Sequence, residues 1–280
     1  MNSRPADKRG VAENFSSAAA AYESAAIAQS AIAANLVRRL PERGGIERIA
    51  DLGCGTGVLA KLLFERYPAA AYSGLDMAPG MIAICRTSFS GCGKADFRIC
   101  DIEERDAVIP GCSLVICSCA VQWLHRPVET LAMWTGSLRP GGILACALLA
   151  EGSFCELADA YEKAAGRSFQ GVRLWQAADS DSLLKAADLK VINCGGMKSG
   201  ESVVVQYSSA REALRSFKEI GALLPRNAGE GQLALSSTRK MLRHYGCRQD
   251  MSGGDSGQSR EGGSATVTYR VHYLIAERKP

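Results

Sequence analysis

Apolar and polar residues along this chain change their spacing repeatedly. Residues 46–53, IERIADLG, form a short apolar run of strand type. Residues 56–67, TGVLAKLLFERY, follow with Val58, Leu59, Leu62 and Leu63 on one helical face. The alternation returns in the strand AAYSGLD (70–76) and the helix APGMIAICRTSF (78–89). It continues through the strands DFRIC (96–100), SLVICSC (113–119) and GGILACALL (141–149), with the helix PVETLAMWTGSL (127–138) before the last. The turn RPGG, Arg139 to Gly142, is expected to end that helix by proline and glycine chemistry. Strands apolar at nearly every position are covered on both faces, and strands alternating with helices run parallel. The pattern predicts an α/β, doubly wound, mostly parallel sheet.

Two segments lie outside the repeat. Residues 7–40 read as helices, with Phe15, Ala19, Tyr22 and Ala26 on one stripe. Beyond residue 150 come helical stretches, the strands LKVINCGG and SVVVQY, and a helix at 209–221. Residues 251–264, MSGGDSGQSREGGS, are expected to form a mobile loop. The final TVTYRVHYLIAER alternates strictly, with Val267, Tyr269, Val271, Tyr273 and Ile275 on one face, and is expected to return antiparallel into the sheet. The organisation expected is an N-terminal helical cap (1–45), a ligand-binding core (46–150) and a substrate or lid region (151–280) that completes the sheet.

Composition narrows the chemistry. A hydrophobic share of 47% with 22% charged residues is that of a globular protein, and a net charge of +4 is too small for a nucleic-acid footprint. Eleven cysteines include no C-x-x-C pair, and the three histidines stand far apart at 125, 244 and 272, so no metal site is expected. Cysteines in apolar and glycine-rich segments, such as Cys54, Cys85, Cys100 and Cys146, fit small hydrophobes in a reducing cytoplasm. The chain shows no stretch of membrane-spanning length and no apolar leader at its N-terminus, which again points to the cytoplasm.

The chemistry concentrates at strand ends. DLGCGTG, Asp51 to Gly57, follows the first strand and opens the first core helix, with glycines at 53, 55 and 57 for close backbone approach. A dinucleotide fingerprint would place its third glycine at 58, where this chain has Val58. The G-x-G-x-G form preceded by an acid resembles motif I of the class I S-adenosylmethionine-dependent methyltransferases, whose fold is Rossmann-like. Asp76 ends the second strand at the offset from which an acid accepts ribose hydroxyls, with Met77 beside it to pack on an adenine face. The resemblance places Asp101 near the adenine amino group, with Ile102 adjacent, and Cys119 at the end of the fourth strand joins the cofactor set.

The acceptor is addressed by other segments. After SLVICSC the chain runs without turn residues into AVQWL, Ala120 to Leu124. Together with VAENFSSAAAAYESAAIAQ (11–29), DLGCGTGVLAKLL, EGSFCEL (151–157) and SFKEIGA (216–222), this resembles the malonyl-acyl carrier protein O-methyltransferases of biotin synthesis. The long glycine-rich segment near 251–264 departs from that pattern. The resemblance implies methyl transfer from S-adenosylmethionine to the free carboxylate of a malonyl thioester, carried by acyl carrier protein or coenzyme A. It points to Tyr22, Gln122 and Trp123 as substrate-facing residues, although Trp123 reads equally well as a core residue. Arg211, Arg215 and Lys218 form a basic stripe on helix 209–221 that would suit an acidic carrier, or would simply be a solvated edge. Three readings stay open beside this one: a methyltransferase of a small carboxylic acid, a non-catalytic adenosylmethionine-binding interaction protein, and a dinucleotide oxidoreductase, against which Val58 speaks.

Overall fold

The computed structural model describes residues 7–42, 44–169, 171–193, 201–222, 235–246 and 264–279. The alternating core of the chain folds into β1 (Arg48–Leu52), α3 (Val58–Arg66), β2 (Ala71–Asp76), α4 (Pro79–Ser88), β3 (Ala95–Ile99), β4 (Cys112–Ser118), α5 (Pro127–Trp134) and β5 (Leu138–Leu149). Two helices precede it, α1 (Lys8–Ala25) and α2 (Ile27–Arg39). After it come α6 (Cys155–Ala165), α7 (Ala177–Ala186), β6 (Leu189–Asn193), β7 (Glu201–Tyr207), α8 (Ala210–Glu219), α9 (Leu235–Gly246) and β8 (Ala265–Arg278).

The described strands form one sheet in the order β3-β2-β1-β4-β5-β8-β6, with β7 also paired to β8. β1 to β5 pair in parallel, whereas β8 runs antiparallel to β5, β6 and β7. The expected antiparallel return of the last strand is therefore what the chain does. Successive side chains of a strand point to opposite faces, and two apolar layers result. Ile49, Leu114, Ile116, Ile143, Ala145 and the whole predicted stripe of β8 pack with Ile32 and Leu36 of α2 and Leu59 and Leu63 of α3. Ala50, Leu52, Val115, Cys117, Leu144 and Cys146 pack on the other face with Leu131 and Trp134 of α5 and Leu183 of α7. Cys54, Cys85, Cys117 and Cys146 are buried free thiols within or beside these layers.

Two local expectations change. The helix expected over 127–138 stops at Trp134, and Thr135–Ser137 form a 3-10 turn. RPGG then lies inside β5, bulged out between the pairs Cys112–Leu138 and Leu114–Ile143. Gly142 allows this, because a Cβ there would stand 2.9 Å from the carbonyl oxygens of Arg139 and Cys112. Residues 251–263 of the expected loop lie outside the described residues. No described helix is long and apolar enough to cross a membrane.

Unlike α2, α1 lies beside the C-terminal strand ends rather than in the layers. It rests on two glycines: a Cβ at Gly80 of α4 would stand 2.4 Å from the Ser16 carbonyl oxygen, and one at Gly221, after α8, 2.9 Å from the Phe15 Cα. Gly57 is a different case, a left-handed residue (φ 89°) at the start of α3 whose added Cβ would meet Phe89 at 2.8 Å. Gly57→Ala is expected to cost about 2–4 kcal/mol of stability, from backbone strain and a displaced Phe89. A urea midpoint equal to that of the wild type would contradict both causes.

Candidate active site

The loop from Gly53 to Gly57 is held by the strand beside it. The N–H groups of Gly53 and Cys54 donate to the Leu75 carbonyl at 2.8 and 3.0 Å. One carboxylate oxygen of Asp76 accepts the Gly55 N–H at 3.0 Å, and the other accepts the Ala78 N–H at 2.8 Å, where α4 begins. Burial raises the Asp76 carboxyl above the usual carboxylate range, and these two hydrogen bonds counter part of that shift. Gly53 must be glycine: a Cβ would lie 2.5 Å from the Cβ of Ala120, so loop and post-β4 turn touch.

Above this contact lies a cavity of about 650 Å³ lined by Gly53, Gly55, Asp76, Met77, Asp101, Ile102, Cys119 and Trp123, and by Lys8, Val11, Phe15 and Tyr22 of α1. The α1 residues stand at spacings that share one helical face. A Cβ at Gly55 would meet nothing within 4 Å, so the loop presents bare backbone to open space. An acid with lone pairs to spare, a thioether and apolar walls suit a nucleoside: hydroxyls for Asp76, a base between Met77 and Ile102. Of the cofactor residues expected from the sequence, Asp51 and Gly57 do not line this cavity. Gly57 faces Cys85 and Phe89, and Asp51 is fully buried beneath the loop, accepting a hydrogen bond from the Tyr72 hydroxyl.

A second cavity, about 540 Å³, shares Phe15, Tyr22, Cys119 and Trp123 with the first. Its further lining includes Gln29, Gln122, Phe154, Phe169, Phe217 and Tyr269, none of which except Gln122 was singled out as a site residue from sequence. Aromatic contacts tie the walls together: Phe15 meets Trp123 edge-on at 5.5 Å, and Phe154 meets Phe217 and Tyr269 at 5.6 and 5.2 Å. Cys119 (φ 55°) and Phe154 (φ 61°) are the described non-glycine residues in the left-handed region, and both line this cavity. AVQWL does turn after all: Cys119 reverses the chain after β4, and Val121–Trp123 form a 3-10 turn. The Gln122 amide donates to the Cys119 carbonyl at 2.6 Å, while its Oε1 is buried without a partner. One of the two amide N–H groups is thus taken by the chain, and Oε1 is an acceptor still open to a partner. Burial above all, with Cys119 and the Asp76 carboxylate close by, pushes the Tyr22 hydroxyl far up, so it stays protonated as a donor.

Comparison with known proteins agrees with this arrangement. Residues 49–142 match the model of a methyltransferase domain. The chain is 30% identical to a malonyl-acyl carrier protein O-methyltransferase of Hahella chejuensis over 248 residues, covering 87% of this chain and 85% of that one. The chain belongs to the malonyl-acyl carrier protein O-methyltransferase family. It is 33% identical to the biotin biosynthesis bifunctional protein BioCD of Bordetella avium, over 95% of this chain and 51% of that protein. The YcgJ protein of Bacillus subtilis shares the fold at 12% identity, with a TM-score of 0.58 over 89% of this chain and 98% of that one. As a member of this methyltransferase family, the protein uses S-adenosylmethionine, and the lining of the first cavity fits a nucleoside-bearing group.

In a methyltransferase of this kind the acid before the glycine loop is under electrostatic load. Burial raises the Asp51 carboxyl to about 7, with the Tyr72 hydrogen bond opposing and the Asp76 charge adding to the rise. A raised acid keeps its proton longer in the folded state, so its contribution to stability declines as pH climbs from about 4 and is smallest above about 7. Asp51→Asn keeps an acceptor for Tyr72 but cannot ionise. The ligand-free variant should melt above the wild type by a margin that grows from about pH 4 to about pH 8. A margin that is constant with pH would mean that Asp51 does not titrate there.

Proposed function

We propose that the protein methylates the free carboxylate of malonyl-acyl carrier protein, producing a methyl ester that enters biotin synthesis. One observation carries the reading beyond family membership. Helix α8 turns Phe217, with Ile220 just past its end, into the acceptor cavity while Arg211, Arg215 and Lys218 stay exposed to solvent. A basic face of this kind, set on the wall of the cavity, suits an acidic carrier that delivers its acyl group through a flexible arm. Glu212 is engaged at the helix start, accepting from the Ser208 backbone while its own N–H donates to Ser209.

When bound, S-adenosylmethionine supplies a methyl group on a positively charged sulfur, which a carboxylate oxygen displaces to leave a neutral thioether. A carboxylate of pKa roughly 4 is already ionised near neutrality, so the residues need only position it and exclude water. Tyr22 stands where the two cavities meet, and its protonated hydroxyl is the donor placed to orient the acid. Phe15, Trp123 and Phe154 exclude water around it. Cys119, also at the junction, is held up at about 12 by burial, so its thiol does not compete as a nucleophile.

The direct test is mass spectrometry of malonyl carrier protein after incubation with S-adenosylmethionine and the protein. One added methyl group supports the reading, whereas methylation of free small acids in place of the carrier-bound acid would replace it. Tyr22→Phe should lower kcat by about 10–100-fold with little change in cofactor affinity, since it removes one donor to the reacting group. Reversing Arg215 and Lys218 together to Glu should raise KM for the carrier-bound substrate at least several-fold and leave a malonyl thioester without the carrier unaffected. An equal loss on both substrates would remove α8 from docking.

A further inference from the structure

Glu103 is a buried acid for which methyl transfer has no evident use. Its side chain is only 4% exposed, yet it gathers donors from three separate parts of the chain. Lys8 of α1 lies 2.5 Å from its Oε2, the N–H groups of His125 and Arg126 donate at 3.0 and 2.8 Å, and the Thr130 hydroxyl donates at 3.2 Å. Burial alone would raise this acid, but the His125 N–H, Lys8 and the Arg126 N–H outweigh it and hold the group at about 2. Lys8 also lies 2.5 Å from Oδ2 of Asp101, whose Oδ1 accepts the Glu103 N–H at 3.0 Å. For Lys8, desolvation is overcome by the two carboxylates, which hold its ammonium above the usual lysine range. Glu103 and Lys8 are thus both charged throughout the neutral range, and their pairing is not a pH switch.

Its position is what matters. Lys8 and Asp101 both line the cofactor cavity, so a ligand there packs on the groups that hold the start of α1. The same helix carries Phe15 and Tyr22, which line both cavities. Glu103 meanwhile fixes residues 125 and 126, directly after the turn that carries Gln122 and Trp123. Phe15 of α1 and Trp123 of that turn meet at 5.5 Å.

We propose that Lys8 and Glu103 are positioning residues that latch α1 and the post-β4 turn together over the cofactor, so that cofactor binding and placement of Tyr22 are one event. Removing Lys8 frees the start of α1 from both carboxylates, whereas removing the Glu103 charge leaves Lys8 its contact with Asp101 alone, so the latch should weaken on either side and most without Lys8. The inference rests on the first cavity being the cofactor site and is independent of which acid is methylated.

The experiment uses the full chain with S-adenosylhomocysteine and no acceptor. In the wild type, the ligand should slow amide hydrogen exchange of residues 8–25 by about tenfold or more. In Lys8→Met that protection should be lost and the ligand should bind about tenfold more weakly, the loss of one charge-assisted contact. Exchange in β1 and β4 should stay as in the wild type, and Lys8→Arg should restore both readouts. Glu103→Gln, which keeps an acceptor for His125 and Arg126 and leaves Lys8 its contact with Asp101, should move both readouts in the same direction as Lys8→Met by a smaller factor. Wild-type protection of α1 in Lys8→Met would overturn the proposal. Because no acceptor is present, failure of methyl transfer to malonyl carrier protein would leave this result unaffected.

Discussion

The carboxylate of Asp76 is the fixed point from which the site is built. Its two oxygens hold the Gly55 N–H and the Ala78 N–H, and so lock the glycine loop to the first turn of α4. That turn contains Gly80, the only kind of residue against which the α1 backbone can come so close at Ser16. With α1 seated there, Phe15 and Tyr22 reach the junction of the two cavities. One half-buried acid at a strand end thereby shapes the first cavity directly and the second through a helix that precedes it by more than fifty residues. A parallel sheet brings its loops together at one edge, which is why so short a chain of contacts suffices.

Backbone strain is concentrated on the acceptor side. Cys119 and Phe154 hold left-handed conformations unfavourable for residues with a Cβ, and each is anchored on both sides. The Cys119 N–H donates to Ala147 and its carbonyl accepts from Gln122, while the Phe154 N–H donates to Thr268 at 2.7 Å. The surrounding sheet stabilises what the local chain disfavours, and the result is two side chains aimed into one cavity. Cys119 lines both cavities and Phe154 the second alone, while glycines occupy the sharp turns of the loop after β1.

Much of the fold was legible because periodicity reports burial directly. The alternating strands, the β8 stripe and the helix faces each depend on neighbours within a few residues, and the layers that formed follow them. That Gly53, Gly55, Asp76 and Asp101 line one cavity was legible for a related reason: they follow successive strands of an open α/β sheet, and strand ends can be found from the pattern. Where the reading went astray, a local feature had a distant explanation. Gly57 appeared to be part of the cofactor cradle, but Phe89 of the neighbouring segment claims its missing side chain.

The sequence by itself determined the elements, their parallel packing and the strand ends at which a nucleoside-bearing cofactor would bind, since each is written in spacing along the chain. Only the tertiary structure decided what surrounds the reacting atoms. The acceptor cavity draws Phe15 and Gln29 from the first helices, Trp123 from the post-β4 turn, Phe154 and Phe217 from beyond β5, and Tyr269 from the last strand. The Lys8–Glu103 pair spans a similar distance. No spacing rule relates residues so far apart; they meet because a doubly wound sheet folds its ends toward one edge, and burial there gives each polar group the partners that set its charge and its role.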